Sequence, residues 1–211
     1  MDGRARQLRL YIITRDRVTY TRKVVDWFAG RAEITIVDNA STYPPMMEYL
    51  DSATCDVIQL AENRGHMVPW QLGLVPQRAY YAVTDCDVLP VEGCPDDVLD
   101  HLRRQLAKPI MAGRSKAGVS LSLDGVTAER VLRVEGRYFS PLDDELYDAP
   151  VDTTLAVYRP GCTFRVDGAR SREPYTAYHL PWHDIVNPDE HKYYLAHMRR
   201  DSVYYSRLGI R

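Results

Sequence analysis

The sequence predicts a single α/β domain, residues 1–211, built on a mostly parallel central sheet flanked by helices. Three observations carry this expectation. Short runs rich in β-branched and aromatic residues recur through the first half, without the apolar–polar alternation of a half-solvated sheet. Segments of helical periodicity separate them, so successive strands are expected to run in the same direction. Polar loops follow the strands (Thr14-Arg15-Asp16, Asp38-Asn39 and Asp85-Cys86-Asp87), at the edge where open α/β sheets bind ligands.

Leu8–Thr14 (LRLYIIT) is a β-rich run ending at a polar turn, the first expected strand. Val18–Ala29 follows as a helix, with Val24, Val25 and Phe28 at helical spacing and Gly30 as its stop. Glu33–Asp38 (EITIVD) is the second strand. After a turn-rich stretch, Met46–Leu50 reads as a short helix. Asp56–Leu60 and Ala79–Thr84 are the third and fourth strands, the fourth running into Asp85-Cys86-Asp87 and then a loop over Pro90–Pro95. In the second half, Asp96–Leu106 has the pattern of a helix, and Pro109–Gly113 and Ala117–Leu123 read as strands. Val151–Arg159 (VDTTLAVYR) reads as a strand paired with Thr163–Val166, and Asp189–Arg200 as a terminal helix.

Composition narrows the class. Hydrophobic residues make up 45% and charged residues 27%, as in an ordinary globular domain able to fold without disulfide or metal. The net charge of −2 argues against a nucleic-acid binder. Cys55, Cys86, Cys94 and Cys162 show neither C-x-x-C pairing nor zinc-finger spacing, so reduced thiols and a cytoplasmic location are expected. Residues 1–9 are polar and the apolar run after them is short, so no signal peptide is expected; no stretch nears the about 18 apolar residues of a membrane span. The fifteen tyrosines suit either a ring-stacking cleft or, the preferred reading, a semi-polar core. Neither G-x-G-x-x-G after the first strand nor a P-loop occurs, and 113–118 (GRSKAG) has the wrong spacing, which disfavours NAD-dependent dehydrogenases and P-loop NTPases.

Each polar cluster has two readings. Asp85 and Asp87, at i and i+2 past a buried strand, can both reach one hard cation, Mg²⁺ or Mn²⁺, with phosphate oxygens completing the shell; alternatively they form a solvated acidic turn. Asp38 can accept from a ribose hydroxyl or a base, or form an Asx turn with Ser41 and Thr42, and the two are compatible. Asn63 can read a base edge and Arg64 can meet a phosphate; otherwise Glu62–Gly65 is an exposed turn. His179 and His183 flank Pro181, so a shared helix face is not assumed; the pair is either structural or one closes a metal site. Asp152 can take a proton from an acceptor hydroxyl or simply begin a strand, and Asp143, Asp144, Glu145 and Asp148 read as a solvated acidic loop. His191–Arg211 carries five Lys/Arg against one acid, by default a solvated tail.

Together, YIITRDR, EITIVDNAST, AENRG and AYYAVTDCDVLP resemble, in order and spacing, the nucleotide-binding half of family 2, GT-A-fold glycosyltransferases, from Leu8 to about Pro90. Beyond Pro90 the resemblance is looser. Where many members carry F-D-E and then E-D-x-D-L with an arginine, this chain has Leu142-Asp143-Asp144-Glu145, then Val151-Asp152-Thr153-Thr154-Leu155 and Arg159. The resemblance implies a nucleotide-binding half over 1–90 and an acceptor half with a tail over 91–211. It implies a nucleoside-diphosphate sugar donor, UDP-, GDP- or dTDP-linked, held by Thr14, Arg15 and Asp38 with Asn63 and Arg64 nearby, and lying along Asp85 and Cys86. Mn²⁺ or Mg²⁺ is implied on Asp85 and Asp87, with His179 as a further ligand, and Asp152 as the base of an inverting transfer. Two alternatives stand beside this. One is a nucleotidyltransferase of related topology, disfavoured because Thr14-Arg15-Asp16-Arg17 lacks its glycine-rich loop. The other is a non-catalytic nucleotide-sugar binding module. A chain this short can also draw on a second copy, as a homodimer, to complete the acceptor site.

Overall fold

A computed structural model describes residues 7–183 and 187–198. The protein is a mixed α/β fold with one central, mostly parallel sheet flanked by helices. The first half alternates as expected: β1 (Arg9–Thr14), α1 (Val18–Phe28), β2 (Glu33–Asp38), α2 (Pro44–Asp51), β3 (Asp56–Gln59), a single turn α3 (Val68–Gln71) and β4 (Tyr81–Asp85). In α1, Val18, Thr21, Val24 and Phe28 form the buried stripe. Past its end, Gly30 takes φ +75°, a left-handed conformation costly to residues with a Cβ. Pro44 and Pro45 open α2, where a missing N–H costs no helical bond.

The second half holds β5 (Val88–Pro90), α4 (Val98–Leu106), β6 (Lys116–Leu121), α5 (Glu129–Glu135), β7 (Leu146–Tyr147), β8 (Ala156–Tyr158), β9 (Gly168–His179) and α6 (Pro188–His197). The strand order is β3-β2-β1-β4-β8-β6-β9-β5, with β7 also on β9, so one sheet runs through both halves of the chain. β1–β4 are mutually parallel, β8 is antiparallel to both β4 and β6, and β6 and β9 are parallel. β1–β4, β6 and β9 therefore end at one common edge.

Period-2 alternation divides the core into two layers. Leu10, Ile12, Ile36, Ala82, Val119 and Val157 pack with α1, α2 and α4 on one face. Tyr11, Ile13, Val37, Tyr81, Val83 and Tyr158 pack on the other, against Val68, Val75 and Val151. Each fully buried Leu, Ile or Phe contributes about 1.5–3 kcal/mol relative to exposure. Among the described residues four tyrosines (Tyr11, Tyr20, Tyr81, Tyr158) are buried, and all four cysteines are free thiols. Among the described residues no helix is long and apolar enough to cross a membrane.

The second half departs from expectation in several places. Pro109–Met111 is a 3₁₀ turn rather than a strand, because Pro109 opens it with a fixed φ. Val151–Arg159 contributes only Ala156–Tyr158 to the sheet. The first part of that segment crosses the sheet face instead: Val151 sits so close to Gly118 and Gly168 that a Cβ on either would approach it to 2.6 and 2.8 Å. Thr163–Val166 forms no strand. The longest strand, β9, was not foreseen; Arg172, Glu173 and Pro174 interrupt its apolar pattern. The short β5 and β7 and the helix α5 were also unforeseen. The terminal helix ends at His197, and residues 199–211 of the basic tail lie outside the described residues.

Candidate functional site

Two polar clusters lie along the common edge. The first joins the loops after β1 and β2. Thr14 pairs its hydroxyl with that of Thr21 at 2.7 Å, and Thr21 in turn donates to the Arg17 carbonyl at 2.7 Å. Asp16 is 1% exposed and takes φ +53°, a conformation that Asp tolerates better than most residues. Its carboxylate accepts from the backbone N–H groups of Thr42 (2.6 Å) and Tyr43 (2.8 Å), and its own N–H donates to Ser41 Oγ at 2.8 Å. Asp38 is buried and accepts from the Ser41 N–H at 3.1 Å and from the Ser41 hydroxyl. Burial pushes its pKa up, with Ser41 opposing. Asn39 donates to the Gly65 carbonyl and accepts from the Arg64 N–H, both at 2.8 Å, stitching the loop after β3 to β2.

These bonds place the residues expected around a nucleotide within the protein's own structure. The Thr14 hydroxyl is committed to Thr21 and lies in the interior. The Arg15 guanidinium reaches α6, donating to the His197 carbonyl at 3.1 Å. Asn63 accepts from the Gly65 N–H at 2.9 Å, an Asx-type turn, and Arg64 pairs with Glu62 at 2.9 Å on the surface, where such pairs add little. For Asp38, the turn geometry is the one observed.

The second cluster gathers around the end of β4. Strand alternation sends Asp85 to the face of Tyr81 and Val83, and Cys86 to the other. The Cys86 thiol is therefore core. Burial raises its pKa to about 12, and its backbone N–H is taken by the Ile13 carbonyl at 3.0 Å. Asp85 accepts from Thr153 Oγ1 at 2.8 Å, and its N–H donates to the Thr153 carbonyl at 3.1 Å. Its carboxyl is held well above the usual range, first by desolvation and then by the charge of Asp87, with Asp152 adding to the effect and Thr153 and Lys116 opposing it.

His179 reaches this cluster through the sheet. β5 starts directly after Asp87 and pairs antiparallel with the end of β9, placing His179 opposite Val88. The His179 ring, with Nε2 3.8 Å from Asp87 Oδ1, stacks on Trp182. Burial lowers its pKa, against the pull of Asp87, which favours the neutral imidazole that ligates metals. Leu180–Trp182 is a 3₁₀ turn, so His179 and His183 share no α-helical face. On the other side of Asp87, Arg17 Nη1 stands 3.9 Å from Oδ2, and its guanidinium lies 3.9 Å over the Tyr194 ring of α6.

Asp152 is exposed, precedes the strand it was expected to begin, and accepts from the Thr153 N–H at 3.0 Å. Its backbone carbonyl accepts from Lys116 Nζ at 2.9 Å. Lys116 is fully buried, also donates to the Tyr158 hydroxyl at 3.1 Å, and lies over the rings of Tyr158 and Phe164. Desolvation pushes its pKa down to about 7, against the charges of Asp152, Asp167 and Asp85. Sequence reasoning passed over both Arg17 and Lys116. For Lys116 a signal existed, a lone lysine in an otherwise small and apolar strand, KAGVSL.

The donor set suits a hard divalent ion in part. Asp85 and Asp87 supply the one or two carboxylates such an ion takes beside phosphate oxygens. The 3.8 Å between Asp87 and His179 falls within the roughly 3–4 Å separating ligands of one octahedral ion. Among the described residues, no three His, Cys, Asp or Glu side chains are grouped so that they could hold a metal ion, so an ion here would rest on two protein ligands at most, with phosphate supplying the others. In comparisons with known proteins, no family model matches the chain and no curated protein matches it significantly.

Proposed function

We propose that this protein is a metal-dependent, inverting glycosyltransferase of GT-A type. It would move a sugar from a nucleoside-diphosphate donor to an acceptor hydroxyl. The observation that carries the reading is the acidic pair at the carboxyl end of the fourth parallel strand. Its carboxylates sit beside His179 on one side and the Thr153–Asp152 segment on the other. The parallel run β3-β2-β1-β4, with α1 and α2 in its crossovers, supports the reading, since open parallel sheets of this kind take ligands at the edge where their strands end.

Asp87 and His179, with Asp85 behind them and donor phosphate oxygens supplying the rest of the shell, would hold Mn²⁺ or Mg²⁺. When bound, the ion would supply positive charge against the negative charge growing on the departing diphosphate. Burial, and after it the charge of Asp87, holds the Asp85 carboxyl above its usual range, which favours uptake of a cation together with donor. Arg17 adds a fixed positive charge beside Asp87, and Asp152, exposed at the edge, is the carboxylate free to accept a proton from the acceptor.

A non-catalytic binding module is the second reading. It is favoured by Val151 and Thr154, buried apolar and hydroxyl side chains where the resemblance leads one to expect carboxylates. Thermal denaturation with UDP-, GDP- and dTDP-sugars, with and without Mn²⁺, tests donor binding, and release of labelled sugar separates enzyme from module. A Mn²⁺-dependent shift with one donor class is expected. No shift with any donor would end both readings.

A further inference from the structure

At the end of β6, two strands across from the acidic cluster, the sheet opens into a pocket lined by none of the cluster's residues. β6 and β9 are in register up to Val119 and Ser171, and pairing resumes at Ser120 and Thr176, so residues 172–175 loop out of the ladder. Such irregularities re-aim side chains beside functional sites. The gap leaves a cavity of about 160 Å³ at the end of β6. It is smaller than the ~300–1,000 Å³ of drug-sized clefts and suited to one small ring.

Its position relates it to the cluster. Asp85 N–H donates to the Thr153 carbonyl, and Val119 N–H donates to the Leu155 carbonyl. Ser120 therefore lies two strand spacings from Asp85, on the order of 10 Å. Alternation from Lys116 through Gly118 puts the Ser120 side chain on the same face as Asp85.

The lining is chemically mixed. Phe139, 38% exposed, and Tyr147 meet edge to face at 5.2 Å and present ring surface. Asp124 and Glu173, both exposed, bring carboxylates, and Ser122 adds a hydroxyl. Among the described residues, no lysine, arginine or histidine lines it. Arg172 lies over the Tyr147 ring at 5.1 Å and donates to the Asp143 carbonyl. Ring surface packs against the C–H face of a saccharide, while carboxylates accept from hydroxyl pairs or an ammonium and repel phosphate.

We infer that this pocket holds an uncharged or amino-substituted saccharide, which, on the transferase reading above, is the acceptor. Phosphorylated acceptors are disfavoured there. The test is direct binding, by saturation-transfer NMR, of glucose, galactose, mannose and N-acetylglucosamine, their 2-amino counterparts and their 6-phosphates. The parent protein, Phe139→Ala and Glu173→Gln are compared without donor. Both variants lie at exposed positions, and matching thermal midpoints would verify their folding. At least one neutral or amino sugar is expected to bind, its affinity falling at least tenfold in Phe139→Ala, with the 6-phosphates at least tenfold weaker. Equal binding by parent and Phe139→Ala, tightest binding of a 6-phosphate, or binding of no sugar would overturn the assignment. Donor binding, followed separately by thermal shift, tells the two proposals apart. Sugar binding without donor binding strikes the transferase reading alone; donor binding without sugar binding strikes the pocket alone.

Discussion

The loops after β1 and β2 and the loop after β4 leave the same edge of one sheet and carry similar residues, yet their polar groups meet different fates. In the first region the carboxylates are consumed locally: Asp16 by two backbone N–H groups, Asp38 by Ser41. In the second, Asp87 faces Arg17 and His179 only at 3.9 and 3.8 Å, and Asp85 shares its surroundings with a second acid. A carboxylate whose lone pairs are filled by its own chain builds structure. One held near like charge, with its lone pairs less fully used, is poised for a cation or a proton.

The sharpest way to break this contrast is Asp87→Asn or Asp87→Ala. Sugar release is expected to fall by about 10²–10⁴-fold, the several kcal/mol a metal supplies to transition-state charge, with little change in thermal midpoint. Undiminished turnover would remove the metal assignment. Asp152→Asn should leave donor affinity unchanged and lower turnover by about 10²–10⁴-fold. Weakened donor binding, measured by calorimetry, would recast Asp152 as a binding residue.

Asp16→Ala addresses the other region. It removes the acceptor of two backbone N–H groups at a positive φ, so a stability loss of about 2–4 kcal/mol is expected in urea titrations. A loss under 0.5 kcal/mol would mean that these bonds are dispensable.

The smallest effect is a pH slope. Lys116 titrates near 7 folded and, by its ordinary value, near 10.5 unfolded. Between these pH values the unfolded chain binds the extra proton, so stability rises with pH, while below 7 both states are protonated and the penalty is constant. The stability of the parent relative to Lys116→Met should therefore climb by up to about 1–3 kcal/mol from pH 7 to 9. A difference independent of pH would show that Lys116 folds charged.

The legibility of the two halves follows the range of the interactions involved. β1 to β4 are readable because each is an apolar run closed by its own polar turn, and the sheet adds only parallel neighbours. β9 is not, since Arg172, Glu173 and Pro174 fall where the strand loops out of register with β6. Val151 looks like the start of a strand, but the two glycines that admit it to the sheet face lie far away in sequence. At the site, Asp85 and Asp87 were visible from the strand before them. Arg17 and Lys116 were not: Arg17 is one of two arginines in the polar run after β1, with nothing local to say which of them turns toward Asp87, and Lys116 stands alone in an apolar strand.

The sequence by itself determined the run of four parallel strands, the edge at which their loops emerge and the alternation that turns Asp85 one way and Cys86 the other. These follow from period-2 geometry and local turn chemistry. Only the tertiary structure decided which acids are spent on backbone, which histidine lies beside Asp87, and that a lysine is buried beneath Asp152. Those outcomes depend on strand pairing and desolvation between distant segments, β5 on β9 and β6 beside β8, which no local pattern encodes.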